Sequence, residues 1–207
     1  INALAVVSLI AALVTGALFV RRQRRLAEPM FDLTLFNKPS FSVSVAAMML
    51  CILALSGSWL MIFQFLQGVS GLSALHAGLV MVPAALLQTA ASLLVPRLSR
   101  WLAPTRLISG GLLLAAGGLA LMLLIHADSS LALMVTASVL LGVGVMPMMI
   151  MGTDLVIGSA PPEKTGAAAA TSETATELGM AMGIAVIGSV GATLYRRSME
   201  QQLDGVL

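Results

Sequence analysis

Two acids, Glu173 and Glu177, lie four residues apart in the stretch Thr165–Val190, TGAAAATSETATELGMAMGIAVIGSV. On a helix that spacing stacks them on one face. The stretch holds no base and is long enough to cross a bilayer, which takes about 20 mostly apolar residues. Counted from Thr165 at ~1.5 Å per residue, Glu173 lies about 12 Å and Glu177 about 18 Å along the span, roughly mid-membrane. An ionised side chain there costs about 2.5–3.5 kcal/mol, so a paired occurrence points to a cation or proton site. A carboxyl in a low-dielectric cavity holds its proton more tightly, and a second acid one turn away reinforces this. Such a pair titrates as a unit. Deprotonated it favours a cation strongly; protonated it does not. The competing reading places both acids near a cytoplasmic interface, reaching out to water.

The opposite face of the same stretch is small. Ala175, Gly179 and Gly183 follow a small-xxx-small spacing that lets a neighbouring helix approach closely. The expectation is a helix that packs through its glycines and points Glu173, Glu177, Met180 and Ile184 into a cavity.

Further candidates lie outside this stretch. Pro147, Ile150, Met151 and Asp154 share one stripe of the apolar run 131–157. Pro147 interrupts its hydrogen-bond ladder, with Met146, Met148, Met149 and Met151 around the break. Those methionines fit an adaptable binding wall or plain core filling. Asp154 fits an interfacial acid or a functional one. Phe63, Gln64 and Gln67 close the run 41–67, either as an interfacial aromatic belt or as the outer lining of a cavity. His126 reads as interfacial, and Asp128 can cap the helix that follows. The chain has no Walker loop, metal-ligand cluster or nucleophile triad, so neither an enzyme nor a metal or cofactor is expected.

The elements that must carry these residues are membrane spans. Hydrophobic residues make up 58% of the 207 and charged ones 10%, with mean hydropathy +1.00. That composition excludes a soluble enzyme and describes an all-α, polytopic bundle of about six spans, embedded in lipid. The spans read as 3–20, 41–67, 74–95, 107–125, 131–157 and 165–190. Pro83 is expected to kink the third. Gly110-Gly111 and Gly117-Gly118 offer close-packing points in the fourth. The loops read as 28–39, 96–106 and 161–164, and the polar Tyr195–Leu207 as the start of an outer loop. With the block Arg21, Arg22, Arg24 and Arg25 inside, alternation also puts Lys38, Arg97, Arg100, Arg106 and Lys164 inside. Nine of the eleven bases then share one side, and only Arg196 and Arg197 fall outside. The lone Cys51 permits no internal disulfide. The chain opens on Ile1-Asn2 without an initiator methionine, as a piece of a longer protein would.

Several of these segments carry a resemblance. Pro29–Phe36 (PMFDLTLF), Gln64–Gln67 followed by Gly71–Pro83 (GLSALHAGLVMVP), and above all Pro161–Gly191 resemble the C-terminal half of the major facilitator superfamily. Within it they resemble the fourteen-helix drug:proton antiporters of the EmrB/QacA type. The resemblance covers nearly the whole chain. It implies that 1–40 is an accessory helix and a cytoplasmic link, and that 41–207 holds five of the six helices of a second half. The N-terminal half would be missing. It also implies a multi-pass protein of a bacterial cytoplasmic membrane, exporting lipophilic and quaternary-ammonium cations in exchange for protons. In that family the counterpart of SETATELG is amide-rich in many members and acidic in exporters of organic cations. Pro96, Arg100 and Ala103 stand where the family has Gly, Asp and Gly. Two rival readings remain: a facilitator-type exporter of a lipid or metabolite, and a truncated fragment that does not transport. Neither involves nucleic acid.

Overall fold

The computed structural model describes residues 3–26, 32–126 and 129–204, with side chains described from Val6 to Thr193. Among the described residues six α-helices, α1 Ala3–Gln23, α2 Pro39–Gly68, α3 Ala74–Leu98, α4 Pro104–Met122, α5 Leu131–Ser159 and α6 Thr165–Asp204, make up the fold, with short 3-10 turns at Leu33–Asn37 and Pro162–Lys164. All six are long and apolar enough to cross a membrane. The described residues contain no strand, because a backbone in lipid must satisfy its polar groups within each segment.

Short connections with local caps start the helices. Ser73 accepts a hydrogen bond from His76 N, and Ser130 accepts one from Leu133 N, each at 3.3 Å. The cap expected from Asp128 falls outside the described residues; Ser130 supplies it. Pro39 and Pro104 open α2 and α4, where a missing N–H removes nothing from the ladder. His126 is exposed, its ring nitrogen Nδ1 2.8 Å from Leu124 O.

Several boundaries differ from the sequence reading; α4 runs Pro104–Met122 and not 107–125. Helix α3 runs through both Pro83 and Pro96 to Leu98, so the loop between α3 and α4 is shorter than 96–106. Polar Tyr195–Leu207 does not open a loop at Tyr195, since the α6 backbone stays helical to Asp204. Helical hydrogen bonds are made within the chain, so the segment keeps them after its apolar character ends.

The broadest interfaces join α2 to α6 and α4 to α5; α5 also packs on α3 and α2. Helix α5 is therefore the central one, and twelve of its residues are buried. One core cluster gathers Leu35, Phe41, Val45, Met48, Leu141, Val145, Met148 and Ala175; a second gathers Ile62, Leu66, Ala77, Met81 and Met134. Helix α1 turns apolar residues such as Val7, Leu9, Leu13 and Leu18 outward along its length, as lipid-facing side chains would be.

Candidate functional site

Helix α6 takes its position from glycine. A Cβ on Gly179 would come within 2.5 Å of Met49 O, and one on Gly183 would meet Leu53 O and Ser56 Oγ. Further along, Gly57 faces Ile187, and a Cβ on Gly191 would come within 2.9 Å of Met61 Sδ. The contacts 49/179, 53/183, 57/187 and 61/191 keep a constant offset of 130 residues. Helices α2 and α6 thus run parallel and in register along about three turns, at a distance only small residues allow.

With the glycine face buried, the opposite stripe points away from the bundle. Glu173 and Glu177 are exposed, and Met180 and Ile184 continue the stripe at 41% and 48% exposure. Among the described residues neither glutamate has a hydrogen bond or ion pair. The nearby hydroxyls commit their protons to the helix itself: Thr171 Oγ1 donates to Ala167 O, Thr174 Oγ1 to Ala170 O and Thr176 Oγ1 to Ser172 O, at 2.8–3.0 Å. Ser172 turns inward and donates to Met48 Sδ at 3.7 Å. Two acids within a span are therefore left without a partner from their own helix or from α2 and α5.

Beside the acidic stripe, α2 and α6 part to leave a crevice of about 390 Å³, lined by residues including Phe36, Val45, Met49, Thr174 and Leu178. Thr174 and Leu178 directly follow the two glutamates in sequence, about 100° around the helix from each.

Asp154 is exposed near the end of α5. It lies five residues from Ser159, the last residue of the helix. The rest of its stripe is not exposed with it. Pro147 and Met151 are buried and Ile150 is half-buried. The Pro147 ring packs against α4, where a Cβ on Gly111 would come within 2.9 Å of it. Met148 belongs to the core, and Met146 and Met149 are half-buried.

The structure does not bring Phe63, Gln64 and Gln67 to the acids. In the shared register Glu177 is level with Ala47, so Phe63 lies about 24 Å further along the axis and Gln67 about 30 Å at ~1.5 Å per residue. The Phe63 ring stacks on Trp59, centroids 5.5 Å apart, beside the second core cluster. Gln64 and Gln67 are exposed. Pro83 is exposed on α3.

One buried polar group is not singled out by the sequence. Gln88 Nε2 is buried without a hydrogen bond, its side chain pressed against Gly142 between α3 and α5. A lone amide in the run LLQTAAS was the available signal.

The Major Facilitator Superfamily model matches residues 3–184. The chain is 38% identical over 200 residues to the multidrug efflux pump LfrA of Mycolicibacterium smegmatis, covering 97% of this chain and 40% of that protein. It is 30% identical to the tetracenomycin C resistance and export protein of Streptomyces glaucescens, over 89% and 34% of the two chains. It is 32% identical to the methyl viologen resistance protein SmvA of Salmonella typhimurium, over 85% and 36%. The chain thus spans no more than two fifths of the length of these relatives. Six spanning helices and bacterial relatives make it a multi-pass bacterial membrane protein. With a family match over most of its length and relatives of this similarity, the chain belongs to the Major Facilitator Superfamily.

Proposed function

We propose that this chain forms part of a multidrug efflux pump that exchanges lipophilic and quaternary-ammonium cations for protons across the bacterial cytoplasmic membrane. The observation that carries the reading is the pair Glu173 and Glu177, exposed on a face of α6 that α2 and α5 leave free, with no neutralising partner among the described residues. A carboxylate pair short of a partner in a membrane is stabilised by either a cation or protons. The two ligands therefore compete, and a proton gradient can drive cation release. The efflux and resistance names of the relatives fit that cargo, including the methyl viologen resistance protein.

In this reading Glu177, the deeper acid, couples protons, and Glu173 captures cations, with Asp154 assisting from α5. Met180 and Ile184 offer an apolar surface beside the charge. Helix α1 is an accessory helix, and α2 to α6 are five helices of a second half. Alternating access then needs the remaining part of a longer transporter.

The test is uptake of methyl viologen into inside-out vesicles holding the full-length protein, under an imposed pH gradient. Glu173→Gln and Glu177→Gln each keep nearly the same shape, so folding is expected to survive. Each is expected to lower cation-driven proton movement, Glu177→Gln more strongly. The double variant is expected to lose transport. Parental rates in the double variant would refute the site, and export of a lipid or neutral metabolite without the cation would favour the rival cargo.

A further inference from the structure

The basic ends of α2, α5 and α6 meet at a group of polar contacts away from the acidic stripe. Asp32 precedes the short 3-10 turn Leu33–Asn37 and caps it, accepting from Thr34 N at 2.9 Å and from Thr34 Oγ1 at 2.7 Å. Its second oxygen, Oδ2, pairs with Lys164 Nζ at 2.5 Å. Lys164 also donates to Thr34 Oγ1 at 3.0 Å, so the threonine hydroxyl accepts from the lysine and donates to the aspartate. Asp32 is 7% exposed.

Lys164 immediately precedes α6, whereas Asp32 precedes α2, 132 residues earlier. A second contact runs the other way: Lys38 Nζ donates to Ser159 O, the last residue of α5, at 3.0 Å. The turn between these contacts is anchored to the bundle. Leu35 is buried in the core, and the Phe36 ring meets Phe41 edge-on, centroids 5.2 Å apart. Phe36 also walls the α2–α6 crevice.

We propose that Asp32, Thr34 and Lys164, with Lys38 and Ser159 beside them, form a clasp that fixes the start of α6 against α2 and holds the two helices as one body during transport. Three features support a fastening that stays closed. The lysine has two partners at once, the aspartate has its two oxygens on different donors, and the α2–α6 glycine register beyond the clasp permits little sliding. Hydrogen bonds to a charged group are also the stronger kind. Asp32 and Lys164 are then positioning residues for Glu173 and Glu177, acting through the tilt and register of α6.

A spin-label distance measurement tests the clasp without reference to cation chemistry. Labels at Val43 on α2 and Ala169 on α6, both exposed, report the spacing of the two helices near the clasp. In the full-length transporter the parental pair is expected to give one narrow distance. Asp32→Asn and Lys164→Gln are each expected to broaden or shift it, and the exchange Asp32→Lys with Lys164→Asp to restore it. An unchanged distribution in both neutral variants would overturn the proposal.

The consequence for transport rests on the reading of the glutamates as the site. The same neutral variants are expected to raise KM for methyl viologen and lower kcat/KM by roughly tenfold, with recovery in the charge exchange. Asp32→Cys with Lys164→Cys is expected to be impaired like the neutral variants, and linking the two thiols with a short, cleavable bifunctional reagent to restore transport. Arrest that reverses when the link is cleaved would mean that the contact must open in each cycle, and would overturn the clasp. If the glutamate variants transport normally while the label distances respond as described, the site fails and the clasp stands.

Discussion

At Glu173 and Glu177 the chemistry comes from what the helix withholds. The threonine hydroxyls beside them are spent on the helix's own carbonyls, Gly179 and Gly183 on α2, and the carboxylates are left to whatever occupies the remaining face. Asp32 is the contrasting acid. Hydrogen bonds from Lys164 and Thr34 hold its carboxyl at about 2, below the ordinary 3.8. Because the folded value is the lower one, the stabilisation by ionised Asp32 is fully present above about pH 4 and declines as pH falls through about 2. The α2–α6 label distance is therefore expected to stay constant between pH 5 and pH 8. Acidification toward pH 2 is expected to bring the parental protein to the distribution seen in Asp32→Asn. Any broadening between pH 5 and pH 8 would show that another group controls the contact.

At the scale of elements, the glycine pairs of α4 divide into two kinds. A Cβ on Gly111 would come within 2.5 Å of Gly144 O, and one on Gly118 within 2.7 Å of Ala137 O, both on the backbone of α5. Gly110 and Gly117 have nothing within 4 Å. Gly111→Ala and Gly118→Ala are therefore expected to destabilise the protein by about 1–3 kcal/mol, as overpacking of a fixed interface does. Gly110→Ala and Gly117→Ala are expected to be neutral or slightly stabilising, since alanine is the better helix former. Thermal midpoints of the four variants in detergent check this; equal losses in all four would mean that the α4–α5 contact is looser than described. On α6 the same logic makes Gly179 less replaceable than Gly188, which faces only the flexible end of Leu60.

At the scale of the molecule, six spans with alternating loops put nine of the eleven bases at one end and predict an orientation. Cysteines at Ser99, after α3, and at Ser70, before it, are expected to react with an impermeant thiol reagent from opposite sides of the membrane. Both loops border helices of spanning length. Reaction of both from one side would remove α3 from the count of spans. The clasp belongs to the basic end as well, which places the fastening of α6 on the side where the sequence concentrates its lysines and arginines.

Much of this architecture was legible in the sequence, because lipid imposes long apolar helices and composition reports them directly. The six spans, the small face of α6 and the stacking of Glu173 over Glu177 all follow from local periodicity. Other features depend on which helices become neighbours, and no periodicity records that. The parallel register of α2 with α6 separated Phe63, Gln64 and Gln67 from the acids. Neighbours also decided that Gly111 and Gly118, not Gly110 and Gly117, touch α5, and that Pro147 packs against α4. The same holds for the Asp32–Lys164 pair: each residue alone reads as a solvated loop charge, and only the fold closes the 132 residues between them. Helix formation is a property of each segment, whereas the placement of side chains between segments is decided by the packing of the whole bundle.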